Sequence, residues 1–191
     1  MEQAKQVRPE IEELPIAGLK LIRPKIFPDD RGFFSETYNV VEWKEAIAFD
    51  EPFLQDNHSY SKYGVIRGLH AQPGMGKLVQ VIVGSVYDVA VDVRPASKTY
   101  GQCYGVTLTD KEKTCFWIPD GFLHGFQALC ATGTHVVYKC SAVYDAATEF
   151  GVNPFDGDIA VRWPLPRASA IVSQRDQSNQ SFSEFKSKQL A

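Results

Sequence analysis

Residues 78–94 read LVQVIVGSVYDVAVDVR, two valine-rich runs on either side of Gly84-Ser85. In the second run Tyr87, Val89, Val91 and Val93 alternate with Asp88, Ala90, Asp92 and Arg94. Successive side chains of a strand point to opposite faces, so this period of two predicts one apolar and one polar face, with Asp88 and Asp92 toward water. The Gly-Ser step between the runs predicts a tight hairpin. Further strand candidates follow at residues 104–108, 114–118, 125–129 and 135–142, with turns at Asp120-Gly121 and Asp156-Gly157. Helix is scarce: residues 41–50 (VEWKEAIAFD) form the best short candidate, and residues 181–190 suggest a polar terminal helix. Many short strands separated by turn signals predict an all-β sandwich or barrel. No internal repeat and no linker divides the chain.

Composition narrows the function classes. The chain has 191 residues, of which 44% are hydrophobic and 23% charged, enough for one soluble domain with a core of its own. Lys and Arg total 20 against 23 Asp and Glu, so no basic excess points to nucleic acid, though a local basic pocket for a phosphate is compatible with that balance. The opening MEQAKQVRPEIEELP is too charged for a secretory core, and no apolar run is long enough to span a membrane. Cys103, Cys115, Cys130 and Cys140 are scattered without a CxxC pair, and most lie in apolar runs. They read as reduced, buried thiols of a cytoplasmic protein. The first and last stretches of the chain offer little apolar surface and are expected to be peripheral.

Reactive residue types gather in a few segments. These are RGFFSE (31–36), QDNH (55–58), RGLH (67–70) with GMGK (74–77), WIPDGFLHGF (117–126) and HVVYK (135–139). Singly, each residue has an ordinary role: a strand-end histidine, a solvated lysine, a core tyrosine with its hydroxyl at an edge. A metal-dependent barrel would favour an HxH pair with a nearby glutamate; His58 and His70 stand twelve positions apart and His124 stands alone. No Gly-x-Ser-x-Gly elbow supports serine hydrolysis, and no glycine-rich loop leads into a helix to cradle a phosphate.

Taken in order, RGFFSE, FLQDNHSYS, GVIRGLH, GKLVQVIVGSVYDVAVDVR, WIPDGFLHGF, YKCSAVY and IVSQRD resemble the dTDP-4-dehydrorhamnose 3,5-epimerase family, over most of the chain. The resemblance implies a cupin-like jelly roll, a double-stranded β-helix barrel with short peripheral helices. It implies a single epimerase domain over residues 1–191, with a core of about 16–178. It also implies a homodimer that needs no metal or organic cofactor, acting on a deoxythymidine-diphosphate 4-keto-6-deoxy sugar, with neither nucleic acid nor membrane as a partner. The C4 ketone acidifies the protons on C3 and C5, so inversion calls for a base on one face, an acid on the other and a positive group at O4. By resemblance His70 is the base, Tyr138 the acid, Lys77 the enolate stabiliser and Asp176 the group that orients His70. Arg31, Glu36, Gln55, Asn57 and Arg67 resemble nucleotide and diphosphate contacts, and His124, Tyr144, Glu149 and Arg175 further substrate positions. Phe33 and Tyr144 are candidates to stack on the base or shape the sugar site. The alternatives are a relative inverting only C3 or only C5, a silent nucleotide-sugar-binding cupin, and a metal-dependent cupin oxygenase.

Overall fold

The computed structural model describes residues 8–189. In chain order its strands are β1 (Glu10–Glu13), β2 (Lys20–Arg23), β3 (Ile26–Asp29), β4 (Gly32–Ser35), β5 (Gln55–Ser61), β6 (Val65–Ala71) and β7 (Lys77–Val83). They continue with β8 (Ser85–Asp92), β9 (Cys103–Thr109), β10 (Cys115–Ile118), β11 (Phe122–Ala128), β12 (Thr134–Cys140), β13 (Phe150–Gly151) and β14 (Ile171–Val172). Three short α-helices, α1 (Val40–Ile47), α2 (Gln174–Gln177) and α3 (Phe182–Gln189), and a 3-10 turn at Arg167–Ser169 complete the order among the described residues. One sheet runs β1-β2-β10-β7-β12-β5 and faces a second that runs β13-β6-β11-β8-β9, with β14 added beside β6. This is the jelly-roll architecture expected of the sequence. β3 and β4 form a hairpin apart from both sheets.

The valine-rich stretch is not a hairpin. β7 pairs with β10 and β12 in the first sheet, whereas β8 pairs with β9 and β11 in the second, so the chain crosses between sheets at Gly84. A Cβ at Gly84 would stand 2.8 Å from the Gly133 carbonyl and 2.9 Å from Thr134 Oγ1, and φ there is +87°. Glycine therefore serves a tight crossover rather than a two-residue turn.

Apolar residues cover both faces of both sheets, which explains why the alternation misassigns Asp88 and Asp92. Val79, Val81 and Val136 of one sheet meet Val86, Ala90 and Phe126 of the other in the central core. Val89 and Val91 instead pack outward, with Leu69 and Leu123, beneath Phe182 and Phe185 of α3. Trp43 and Ile47 of α1 cover the outer face of the first sheet, against Leu78 and Trp117. The polar face of β8 thus points into the barrel, and both aspartates are fully buried. Asp92 accepts hydrogen bonds from Arg94, Ser97 and Thr99.

The segments expected to be peripheral also contribute to the core. Phe182 and Phe185 are buried because α3 turns them onto β8, and Leu14 is buried ahead of β2. The terminal-helix expectation extended to Leu190, which lies outside the described residues. All four cysteines are free; Cys115 and Cys140 are buried, while Cys103 and Cys130 are only partly so.

Candidate active site

Strand alternation carries the polar residues of the sequence motifs into one end of the barrel. Lys77 shares the inward face of β7 with Val79 and Val81, and Tyr138 and Cys140 share that of β12 with Val136. His124 follows Phe122 and precedes Phe126 on the inward face of β11. Gln55 and Asn57 lie inward on β5, where the Asn57 amide donates to Cys140 Sγ at 3.4 Å. Arg67 and His70 are three apart, so simple alternation would separate them. A bulge between β6 and β11 restores them to one side: His124 pairs with His70, but Phe126 pairs with Arg67. These residues line a cavity of about 700 Å³.

His70 and Asp176 are 106 positions apart and meet at 2.6 Å, Nε2 to Oδ1. Asp176 sits on α2, and the Ser173 hydroxyl caps that helix by accepting from the Asp176 N–H at 3.1 Å. Burial pushes the Asp176 carboxyl up, but the hydrogen bond and charge of His70, with support from Ser173 and the Gly68 N–H, outweigh it and hold the group below the usual carboxylate range. An acceptor-only carboxylate on Nε2 leaves Nδ1 as the basic nitrogen of His70. Glu149 Oε1 is 3.9 Å from that nitrogen.

Lys77 has no carboxylate partner among the described residues, and the Tyr138 hydroxyl bonds to none of them. Burial lowers the Lys77 ammonium from its ordinary value, while the charges of Cys140, Glu149 and Asp88 pull the other way. Burial raises the Tyr138 phenol, so it keeps its proton at neutral pH. The loop before Lys77 is pinned just past the end of β12, since Ser141 Oγ accepts from the Gly76 N–H at 2.7 Å and donates to the Gly74 carbonyl at 2.9 Å. These bonds hold Lys77 at the cavity.

The outer wall is a polar chain. The Tyr144 hydroxyl donates to Glu149 Oε2 at 3.1 Å, and Arg175 pairs with the same oxygen. The Tyr144 N–H donates to Gln55 Oε1 at 2.8 Å, and Gln55 donates to Asn57 at 2.9 Å. Arg67 donates to Ser61 Oγ and the Tyr60 carbonyl. Arg31, Phe33 and Glu36 do not line the cavity. Arg31 is paired with Asp29 and Phe33 is 57% exposed, both on the β3–β4 hairpin, while Glu36 accepts from Asn39 just beyond it. Sequence reasoning missed Asp88, which bonds His124 inside the barrel. Its signal was the run of valine and alanine around it, which reads equally as a strand buried on both faces.

The site's chemistry is thus a carboxylate-oriented imidazole, a partly buried ammonium and a protonated phenol around one cavity. Comparison with known proteins shows the family of the chain. Residues 13–184 match the model of the dTDP-4-dehydrorhamnose 3,5-epimerase family. A dTDP-4-dehydrorhamnose 3,5-epimerase of Salmonella typhimurium is 44% identical over 161 residues, covering 81% of this chain and 87% of that one. One of Neisseria gonorrhoeae is 42% identical over 177 residues, 92% of this chain, which spans 53% of that longer relative. A dTDP-6-deoxy-D-glucose-3,5-epimerase of Legionella pneumophila, solved in complex with dTDP-4-keto-L-rhamnose, superposes with a TM-score of 0.90 at 40% identity, covering 95% of this chain and 96% of that one. By sequence and by fold, this chain belongs to the dTDP-4-dehydrorhamnose 3,5-epimerase family.

Proposed function

We propose that the protein inverts C3 and C5 of dTDP-4-dehydro-6-deoxyglucose, giving dTDP-4-dehydrorhamnose in the route to dTDP-rhamnose and related deoxysugars. The observation that carries this reading is the convergence of the His70–Asp176 pair, Lys77 and Tyr138 on one cavity. His70 Nδ1 removes the proton beside the ketone, and the electron pair moves into an enolate whose O4 faces the Lys77 ammonium. Tyr138 then delivers its hydroxyl proton to the opposite face, and exchange with solvent resets both groups before the second centre reacts. The sequence is redox-neutral, and each proton passes through a side chain, so neither a metal nor an organic cofactor is called for. Arg67, Gln55, Asn57, His124, Tyr144, Glu149 and Arg175 bind the substrate, the guanidinium groups being suited to its diphosphate.

The protein acts as a homodimer in this reading, because Arg31, Phe33 and Glu36 stand outside their own chain's cavity and reach substrate only from a second copy. Four unpaired cysteines accord with a reducing cytoplasm. The test is incubation with dTDP-4-keto-6-deoxyglucose in heavy water, with NMR following deuterium at C3 and C5. Deuterium and inversion at both carbons are expected; entry at one carbon alone marks a mono-epimerase, and no entry at either removes the assignment.

A further inference from the structure

His124 and His70 are directly paired across β11 and β6. Each is bonded through Nε2 to a buried carboxylate, His70 to Asp176 at 2.6 Å and His124 to Asp88 at 2.9 and 3.1 Å. The cavity is therefore lined by two imidazoles on adjacent strands, each bonded to a buried carboxylate, and the proposed proton transfer uses only the first. Asp88 is fully buried, and among the described residues His124 is the only side chain that bonds its carboxylate.

Packing does not ask for this residue. Burying a carboxylate without a guanidinium or ammonium in contact costs stability. Nor does Asp88 serve to join its strands, since β8 and β11 are already paired along seven residues of each. What the carboxylate accomplishes is local. It can only accept, so Nε2 of His124 carries a hydrogen and Nδ1 is the ring nitrogen left to a molecule in the cavity. It also fixes the ring plane, as the orienting partners of other functional histidines do.

We propose that Asp88 is a positioning residue of this site, acting through His124 to fix the tautomer and orientation in which Nδ1 meets the bound sugar. The proposal rests on the epimerase reading for its substrate, while its structural half stands apart from it.

Turnover of dTDP-4-keto-6-deoxyglucose would be measured for wild type, Asp88→Asn, His124→Asn and the double variant. Asp88→Asn is expected to lower kcat/KM roughly ten- to a hundredfold, the scale on which orienting partners act on an imidazole. The isosteric change should leave the thermal midpoint close to wild type. Because Asp88 acts through His124, adding Asp88→Asn to His124→Asn should cost less than about threefold more. Wild-type turnover in Asp88→Asn, or losses that multiply fully in the double variant, would overturn the proposal. A second measurement holds even where a variant does not fold. In wild type labelled with nitrogen-15 histidine, NMR should find His124 Nε2 protonated throughout the active pH range; an unprotonated Nε2 overturns the proposal. A wild type that exchanges no deuterium would defeat the epimerase reading alone, because the imidazole measurement needs no turnover.

Discussion

A carbon beside a ketone exchanges its proton with solvent whenever a base reaches it, whether or not inversion follows. That separates His70 from Tyr138. His70→Asn should abolish both deuterium entry and product, with a loss on the scale of about 10²–10⁴-fold for a general base. Tyr138→Phe keeps the ring in its packing and removes only the hydroxyl. There His70 still forms the enolate and returns a deuteron to the original face, so deuterium enters unreacted sugar while inverted product becomes scarce. Normal product from Tyr138→Phe would take Tyr138 out of the acid role and turn attention to Tyr144, which lines the same cavity. Lys77 makes a separate prediction through pH. Its ammonium and the Tyr138 hydroxyl must both keep their protons, but burial moves the lysine down from 10.5 and the phenol up from 10.0. As pH rises, loss of the Lys77 proton removes the positive charge at O4, so kcat should fall on the alkaline side with a limb displaced below the ordinary lysine value. Lys77→Arg cannot lose its charge and should carry that limb to higher pH, at a reduced rate because the guanidinium is planar and larger. An alkaline limb identical in Lys77→Arg and wild type would mean that another group sets it.

Between residue and molecule, the pairing of β6 with β11 decides where the base lies. A Cβ on Gly125 would stand 2.6 Å from the Arg67 carbonyl and 3.1 Å from Gly68 Cα, and one on Gly68 would stand 2.5 Å from Gly125 Cα. The strands approach this closely only because both residues lack a side chain, and the bulge that turns Arg67 and His70 to one side sits at this contact. Gly125→Ala should therefore destabilise the protein by about 2 kcal/mol, as overpacking between backbones does, and lower turnover in the molecules that remain folded. Gly157→Ala, where a Cβ meets nothing within 4 Å, should change stability by less than about 0.5 kcal/mol. Chemical denaturation of the two variants checks the contrast. The same elements show what a sequence conveys and what it withholds. Alternation located β8 through β12 to within a few residues, because period two survives in any half-buried strand. It did not tell which strand pairs with which, so the crossover at Gly84 resembled a hairpin. Nor did it distinguish a polar face toward water from one toward a buried site, and so Asp88 was placed in solvent. His70, Lys77, Tyr138 and Asp176 were legible through their motifs, yet the contact of His70 with Asp176 depends on α2 closing over β6, which no local pattern encodes.

At the scale of the whole molecule the unexplained feature is the β3–β4 hairpin. It forms its own two-stranded sheet, exposes Phe33 and Phe34, and carries Arg31 with no partner but Asp29 among the described residues. A large apolar surface beside charged groups is costly to leave in water and is characteristic of an interface. If the hairpin of one subunit completes the other's cavity, Arg31 and His70 serve different sites within one chain, and complementation follows from symmetry. Arg31→Ala alone should bind substrate weakly, and His70→Asn alone should not turn over. When the two variants are co-expressed, a mixed dimer has one cavity in which the Arg31→Ala subunit supplies His70 and its partner supplies the intact hairpin. The other cavity carries both defects. Random assembly makes about half of the dimers mixed, each with one whole site, so about a quarter of wild-type activity should return at limiting substrate. A hairpin acting on its own chain predicts no whole site in any dimer and no recovery above the separate variants. Sedimentation of the wild type supplies the necessary companion result, a dimer at working concentration; a monomer with full activity would leave Arg31, Phe33 and Glu36 without a route to the substrate.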